Sequence, residues 1–559
     1  LTKHGRRAIP RNGWAYFASR YLHPEGMNYC AAHSPMEILF NYTGLFQQLE
    51  RPDALLQLQA IPDQGLTPMP DDLSRFALIN VTATVTNGCL NIAFVYNKHL
   101  KNQDRLRKWV QSCQQILQEV PELLHQGQRL TVSDFPLLRQ TTDDQLQVLL
   151  HQISRQFGLS VADIQDIYPC SHTQLGMWLS HAKNPKMYWP SMRWIVRRSS
   201  SNSQPIDIPR LKGAWQRVVD RHPILRTVFI ESTGDCNLQV VCKSTRANIE
   251  IASQCEIQFT DGGIPSPSSD KSGLKERHLN KETQPPHQLS LTTQPDGNVF
   301  FELSIHHMLV DGVTWQIFLS DFHRAYHGQL KNGPACAYST YLRYLQGYSQ
   351  ASSEIHWKQH LDGIDPCIFP SLATKSRGTE PSTLNLVPFS FNIAKHLHNF
   401  CQNHGITISS LLQVAWGVVL RVYTGSESVC FGYLNSCRDI PVPNVDELSG
   451  PLINLLICRL RLTGDASVLA TLSENQDAHA RNLEHQHCSI AEVMHSLNLA
   501  GQPLFNTAMS LQRKAVDVMP NDYPSDITLE GPLGIDSTEV RICLHSGSRE
   551  NLLTLFSTI

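Results

Sequence analysis

The stretch on which the fold turns is Val299-Phe300-Phe301-Glu302-Leu303-Ser304-Ile305-His306-His307-Met308-Leu309-Val310-Asp311-Gly312. Val299, Phe301, Leu303 and Ile305 alternate with Phe300, Glu302, Ser304 and His306, the two-residue period of a strand. Beyond Gly312, Trp315, Phe318, Leu319, Phe322 and Tyr326 recur at helical spacing. The segment therefore predicts a strand–loop–helix corner, where side chains and backbone N–H groups converge on a ligand. If strand geometry lasts through the pair, His306 and His307 point to opposite faces, and only one serves a given cavity. Asp311 stands where it accepts a hydrogen bond locally or pairs with a distant arginine. Gly312 permits a close backbone approach or an unusual φ.

The rest of the chain agrees with a layered α/β architecture. Asp207 is an N-cap, Pro209 suits the first turn, and Leu211, Ala214, Trp215, Val218 and Val219 share one helical face that Pro223 ends. A strand is expected over 225–230. A second helix, about Thr407 to Tyr423, is apolar on most sides and stops at Gly425; the stretch 406–422 reads as a buried core helix. Before residue 136, strand-like runs at 77–85 and 90–95 precede a helix at 104–120. A Gln-rich bridge follows, with Leu146, Leu149, Leu150 and Ile153 at helical spacing. Residues 199–203 and 262–273, rich in Ser, Gly and Pro, read as surface loops.

At 559 residues the chain exceeds one ordinary hydrophobic core. A net charge of −2 gives no electrostatic reason to expect nucleic acid or an anionic membrane as partner, and no segment is apolar and long enough to span a bilayer. Fifteen scattered cysteines without CxxC pairs read as free thiols in a reducing, cytoplasmic setting. His485-x-His487-Cys488 has no second ligand pair at a familiar spacing, so no metal is expected. A GxSxG elbow and a P-loop are both absent from the sequence, which leaves a serine hydrolase or an NTPase without a foothold.

The full H-H-x-x-x-D-G, set after an alternating strand and before an amphipathic helix, resembles the signature of chloramphenicol acetyltransferase-like acyltransferases, the superfamily of condensation and epimerization domains. Ile167-Tyr168-Pro169-Cys170-Ser171 with Gln174, Gly176 and Met177 is similar to the opening motif of fungal condensation domains. Arg221-His222-Pro223-Ile224-Leu225-Arg226-Thr227-Val228-Phe229 resembles their RHxxLRTxF element. Gly450 to Leu456 with Arg459, His485 to Cys488 and Pro503 to Asn506 continue the family order. Upstream, Ile9 to Tyr16 and Phe40-Asn41-Tyr42-Thr43-Gly44 resemble elements near the end of epimerization domains.

The resemblance implies two chloramphenicol acetyltransferase-like lobes in a V-shape, 163–388 and 389–559, after a linker at 137–162 and an epimerization-domain remnant at 1–136. The chain would stop before the family's last strand and helix. The expected function is amide-bond formation in a nonribosomal peptide synthetase. A carrier-bound acceptor amine would attack a carrier-bound, D-terminated donor thioester. His307 would act as general base or orienting group, beside His306. Gly312 backbone would stabilise the oxyanion, and Asp311 would pair structurally with Arg438, although Cys437 replaces the usual glycine. Ser304, Thr314, Trp315 and Asn454 would line the substrate tunnel. No tightly bound cofactor is implied, because substrates ride on the 4′-phosphopantetheine of peptidyl carrier domains. Those domains and an adenylation domain of the same synthetase would be the partners of a monomeric unit. Two other readings stand beside this one: a second epimerization domain, favoured by Val313-Thr314-Trp315 but lacking an EGHGRE-like segment, and an inactive carrier-docking module.

Overall fold

The computed structural model describes residues 5, 9, 13–31, 36–45, 77–86, 89–97, 99–125, 130–139, 141–185, 187–198, 205–231, 237–253, 284–370, 386–391, 394–497, 503–513, 527–535, 542–546 and 553–558. The loops expected at 199–203 and 262–273 lie outside these residues. The chain forms two compact units, Leu1–Ser133 and Asp134–Ile559.

In the first unit, helices α1 (Trp14–Leu22) and α2 (Pro24–Cys30) precede strands β1 (Met36–Leu45), β2 (Ala77–Thr86) and β3 (Cys89–Tyr96) and helix α3 (Gln103–His125). The sheet order is β1-β2-β3, with β1 parallel to β2 and β2 antiparallel to β3. Ala77, Val81 and Ala83 are buried, and Phe94 meets Trp109 of α3 edge to face.

The second unit begins with what the sequence alone makes a linker. Helix α4 (Asp143–Phe157) lies there, closed at its start by a reciprocal Thr142–Gln145 capping box. Its Leu146, Leu149, Leu150, Ile153 and Phe157 are buried, so this segment packs as part of the unit. Strand β4 (Ile164–Pro169), helix α5 (His172–Lys183), strand β5 (Ser191–Arg198) and helix α6 (Ile208–Arg221) follow. Helix α6 buries Leu211, Ala214, Trp215, Val218 and Val219, and Asp207 accepts from Arg210 N–H at its start. Pro223–Arg226 is a 3₁₀ turn, so the next strand, β6 (Thr227–Ile230), starts two residues later than the periodicity suggests. Strands β7 (Leu238–Cys242), β8 (Ile249–Ser253), β9 (His287–Thr293) and β10 (Val299–Ile305) then lead into helices α7 (Gly312–Tyr326), α8 (Ser339–Gly347) and α9 (Gln350–His360).

The remaining elements are β11 (Leu386–Phe391), α10 (Ala394–His404), α11 (Ile408–Thr424), β12 (Ser428–Asn435), β13 (Asn454–Arg461), α12 (Val468–Leu483), α13 (Ile490–Ser496), β14 (Ala508–Arg513), β15 (Ile527–Ile535), β16 (Ile542–Ser546) and β17 (Leu553–Thr558). Helix α11 starts at its Thr407 cap and ends at Gly425, which takes the left-handed φ of +72° that favours glycine. Its buried face includes Ser410 and Gln413, while Val418, Val422 and Tyr423 are exposed, so it is not buried all round as its composition suggests.

Two lobes result, with sheet orders β15-β5-β10-β9-β8 and β11-β17-β16-β14-β12-β13, and a smaller sheet β4-β7-β6. Strand β15 crosses from the second half of the chain and pairs antiparallel with β5 in the first lobe's sheet. The split at 388/389 therefore does not separate the lobes cleanly. Strand β17 pairs antiparallel with both β11 and β16.

Candidate active site

Strand β10 sits between β5 and β9 and ends at Ile305, so the strand does not continue through the histidine pair. A tight turn takes over: Leu309 N–H donates to His306 O and Val310 N–H to His307 O. Strand alternation consequently does not govern where the two rings point. Both are buried, His306 fully and His307 at 6% exposure.

The two rings are held differently. His306 Nδ1 accepts from Met308 N–H at 3.2 Å, and its ring meets His181 and Trp189 edge to face. Burial, with His181 and His307 nearby, holds its pKa well below the ordinary imidazole range. It is a neutral packing residue. His307 Nδ1 lies 3.0 Å from Val310 O. A carbonyl only accepts, so Nδ1 carries the hydrogen and the basic lone pair belongs to Nε2. That tautomer can receive a hydrogen bond, or a proton, from an amine.

The turn rests on Gln174, whose Nε2 donates to Met308 O at 2.8 Å. Gln174 is fully buried, pairs with Gln239, and also accepts from Ser171 N–H in the capping box of α5. The opening motif thus supports the histidine loop from below. Motif resemblance singles out Gln174 in the sequence, but its contact with Met308 O, 134 residues away, has no local signal.

Asp311 caps helix α7. Its Oδ1 accepts from Thr314 N–H and from Thr314 Oγ1, each at 2.7 Å, and Oδ2 accepts from Leu452 N–H at 3.1 Å. Arg438 Nη2 lies 3.1 Å from both carboxylate oxygens, while Nη1 donates to Val445 O and Leu448 O. Thr314 continues the junction: its Oγ1 accepts from Gly450 N–H at 3.1 Å. Cys437, beside Arg438, has φ +49°, a left-handed conformation costing a side-chain-bearing residue on the order of 1 kcal/mol or more.

Gly312 opens α7 at ordinary φ, and nothing lies within 4 Å of where its Cβ would be. Room, not unusual φ, is what glycine provides here. The residues expected along the tunnel have the following partners. Trp315 is in the core against Trp194, and Thr314 is fully buried in the Asp311 network. Asn454 Nδ2 donates to Gln486 O and Cys488 O, pinning that loop to β13. Ser304 is half-buried and donates to Ser191 Oγ at 2.9 Å. His487 is enclosed by Tyr341, Tyr344 and Tyr348, and burial lowers its pKa to about 4. Among the described residues, no group of three or more His, Cys, Asp or Glu could hold a metal ion, and no single helix is long and apolar enough to cross a membrane.

A family model described as the condensation domain matches residues 164–530. The chain belongs to the condensation domain family. Nonribosomal peptide synthetase ungA of Aspergillus violaceofuscus is 39% identical over 97% of this chain, and malformin synthetase mlfA of Aspergillus brasiliensis 33% over 96%. The chain spans 6% of the first relative's length and 10% of the second's. Among solved structures, the condensation domain from the monacolin K polyketide synthase MokA has a TM-score of 0.55 at 15% identity, covering 71% of this chain and 93% of that one. The X-domain from teicoplanin biosynthesis gives 0.57 at 18%, over 70% and 89%. These likenesses agree with the mixed α/β, chloramphenicol acetyltransferase-like fold. In this condensation domain the matched region starts at β4 and ends within β15, so it takes in the histidine turn, Asp311 and Arg438 together.

Proposed function

We propose that this condensation domain joins two carrier-bound thioesters of a fungal nonribosomal peptide synthetase, and that His307 is the residue facing the reacting amine. The observation that carries this reading is the fixed tautomer of His307, with Nδ1–H committed to Val310 O and Nε2 basic. The acceptor's amine nitrogen bonds to the donor carbonyl carbon, the C–S bond breaks, and the donor's pantetheine thiol leaves with the amine's proton. His307 Nε2 orients the amine or takes that proton in passing. Holding amine and thioester in attack geometry removes an entropic barrier of up to about 7–11 kcal/mol. Gly312, with open space above its Cα at the positive end of α7, is the backbone group proposed to meet the oxyanion. The pantetheine arms of flanking carrier domains bring both substrates, and an adenylation domain loads them.

The donor is proposed to end in a D-residue, because the first unit reads as the end of an epimerization domain. Its strand directions support this: β1 runs parallel to β2, which is antiparallel to β3. The pattern repeats in β14, β16 and β17, with Leu39-Phe40-Asn41 in β1 and Leu504-Phe505-Asn506 before β14. The units adjoin in sequence at Ser133 and Asp134, and α4 already belongs to the second, leaving no length for a carrier domain between them. The test loads the donor carrier with matched D- and L-terminated thioesters and follows dipeptide on the acceptor carrier by mass spectrometry. Product from the D donor, at the higher initial rate, is expected. No product from either donor overturns the function, and preference for the L donor overturns the stereochemical part.

A further inference from the structure

Ser449, His222 and Asp321 lie in line inside the second unit. Ser449 Oγ is 2.8 Å from His222 Nδ1, and His222 Nε2 is 2.9 Å from Asp321 Oδ2. All three are buried. Burial alone would raise the Asp321 carboxyl, but the hydrogen bonds and charges of His222 and Arg221 overcome it and hold the group below its ordinary range. An ionised carboxylate only accepts, so His222 Nε2 carries the hydrogen and Nδ1 accepts from the Ser449 hydroxyl. A serine–histidine–carboxylate line is also how a hydrolase activates its nucleophile. Here Ser449 is 2% exposed, Arg221 Nε donates to the same Asp321 oxygen at 2.8 Å, and Phe318 packs edge to face on the His222 ring. No substrate carbonyl reaches that hydroxyl, so the line serves to hold Ser449 in place.

What Ser449 anchors leads back to the histidine turn. Gly450 N–H donates to Thr314 Oγ1 at 3.1 Å, Pro451 O accepts from Tyr338 Oη at 3.0 Å, and Leu452 N–H donates to Asp311 Oδ2 at 3.1 Å. Asp311 directly follows Val310, whose carbonyl fixes the His307 ring at 3.0 Å. His222 caps the C-terminus of α6 and Asp321 lies in α7, both in the first lobe, while Ser449 belongs to the loop entering the second lobe's β13.

We infer that His222 is a positioning residue for the condensation site: backed by Asp321, it clasps Ser449, and the Ser449–Leu452 loop then fixes the Asp311 corner beside His307. This rests on the role proposed for His307, so the test has an arm that needs no turnover. In the 559-residue chain, Ser449→Ala deletes one hydroxyl and leaves the fold. It is expected to lower kcat about 10- to 100-fold, the scale of a small remote misplacement, with KM for the acceptor carrier within about twofold, as for loss of an interaction made only in the transition state. Amide exchange at Gly450 and Leu452 is expected to accelerate. His222→Phe keeps a ring against Phe318, and combined with Ser449→Ala it should slow turnover no more than the larger single effect, since the two act as one unit. Wild-type kcat in Ser449→Ala, a fully additive double variant, or unchanged exchange at Gly450 and Leu452 would each overturn the clasp. If the unaltered chain forms no amide at all, the function proposed above fails while the exchange measurement still decides the clasp.

Discussion

Arg438 reaches across 127 residues of sequence to lie 3.1 Å from both carboxylate oxygens of Asp311, with both side chains almost wholly buried. The pair has further partners on each side: Asp311 the N-cap of α7 and Leu452 N–H, Arg438 Nη1 two carbonyls of its own loop. Removing one member strands the other charge without water. Asp311→Ala and Arg438→Ala are each expected to cost about 3–5 kcal/mol, read as a lower urea midpoint and a lower melting temperature, together with lost activity. An Asp311→Ala chain that melts like the unaltered protein but is inactive would make the carboxylate catalytic instead of structural.

The two histidines separate by what each holds. His307→Ala is expected to slow amide formation by about 10²–10⁴-fold, the general-base range, while melting near the unaltered chain. His306→Ala empties a site enclosed by His181 and Trp189. It should cost on the order of 2–4 kcal/mol, as for other buried truncations, and the surviving folded fraction should keep a larger share of its rate. Mass spectrometry of carrier-bound product and thermal melting, run side by side, check both. Unchanged turnover in His307→Ala removes it from the chemistry.

How far the sequence carried the fold depends on the distance over which each feature is decided. Helix α6 was legible to the residue because its cap, its proline and its five apolar positions are local and agree with one another. Strand β10 was legible for the same reason. The Asp311–Arg438 pairing came from motif order, which carries long-range information that periodicity does not. The placement of Trp315, Thr314 and Asn454 was not legible. Each stands in or beside a motif, and which neighbours it meets depends in part on distant residues: Trp194 for Trp315, Gly450 for Thr314, Gln486 and Cys488 for Asn454. The histidine pair misled strand alternation because β10 stops one residue earlier, where His306 N–H donates to Pro286 O. The Ser449–His222 bond spans 227 residues and has no local signal at all.

Acid lability should trace in part to His287. It is buried, its Nε2–H donates to Leu225 O at 2.9 Å, and burial lowers its pKa to about 4 against the opposing hydrogen bond. Unfolding returns it to about 6.5, so the folded state disfavours protonation. Its contribution is therefore fully present above pH 6.5 and is lost as pH falls from 6.5 toward 4, on the order of 3 kcal/mol across that window. His487, also at about 4 through burial, acts in the same direction. Urea midpoints measured from pH 7 to pH 4.5 should fall, and His287→Gln, which keeps a donor near Leu225, should flatten that fall. An identical slope in His287→Gln assigns the acid sensitivity elsewhere.

Gly450 gives the sharpest geometric prediction. Its φ of +138° belongs to a region open almost only to glycine, and a Cβ there would stand 2.3 Å from Cδ2 of the Tyr338 ring. The ring cannot simply withdraw, because Tyr338 Oη donates to Pro451 O and lies 3.2 Å from Ser171 Oγ. Gly450→Ala must therefore shift the loop that delivers Gly450 N–H to Thr314 and Leu452 N–H to Asp311. Backbone strain alone costs about 1–3 kcal/mol, and the clash adds to it, so a clear drop in melting temperature is expected with a larger proportional drop in rate. Tyr338→Phe makes the control: it loses one hydrogen bond but keeps the ring, and should cost about 1 kcal/mol. Combining Tyr338→Ala with Gly450→Ala removes the clash, so it should recover part of the rate lost in Gly450→Ala alone. No recovery would mean that the glycine is required for its φ and not for the ring packed on it.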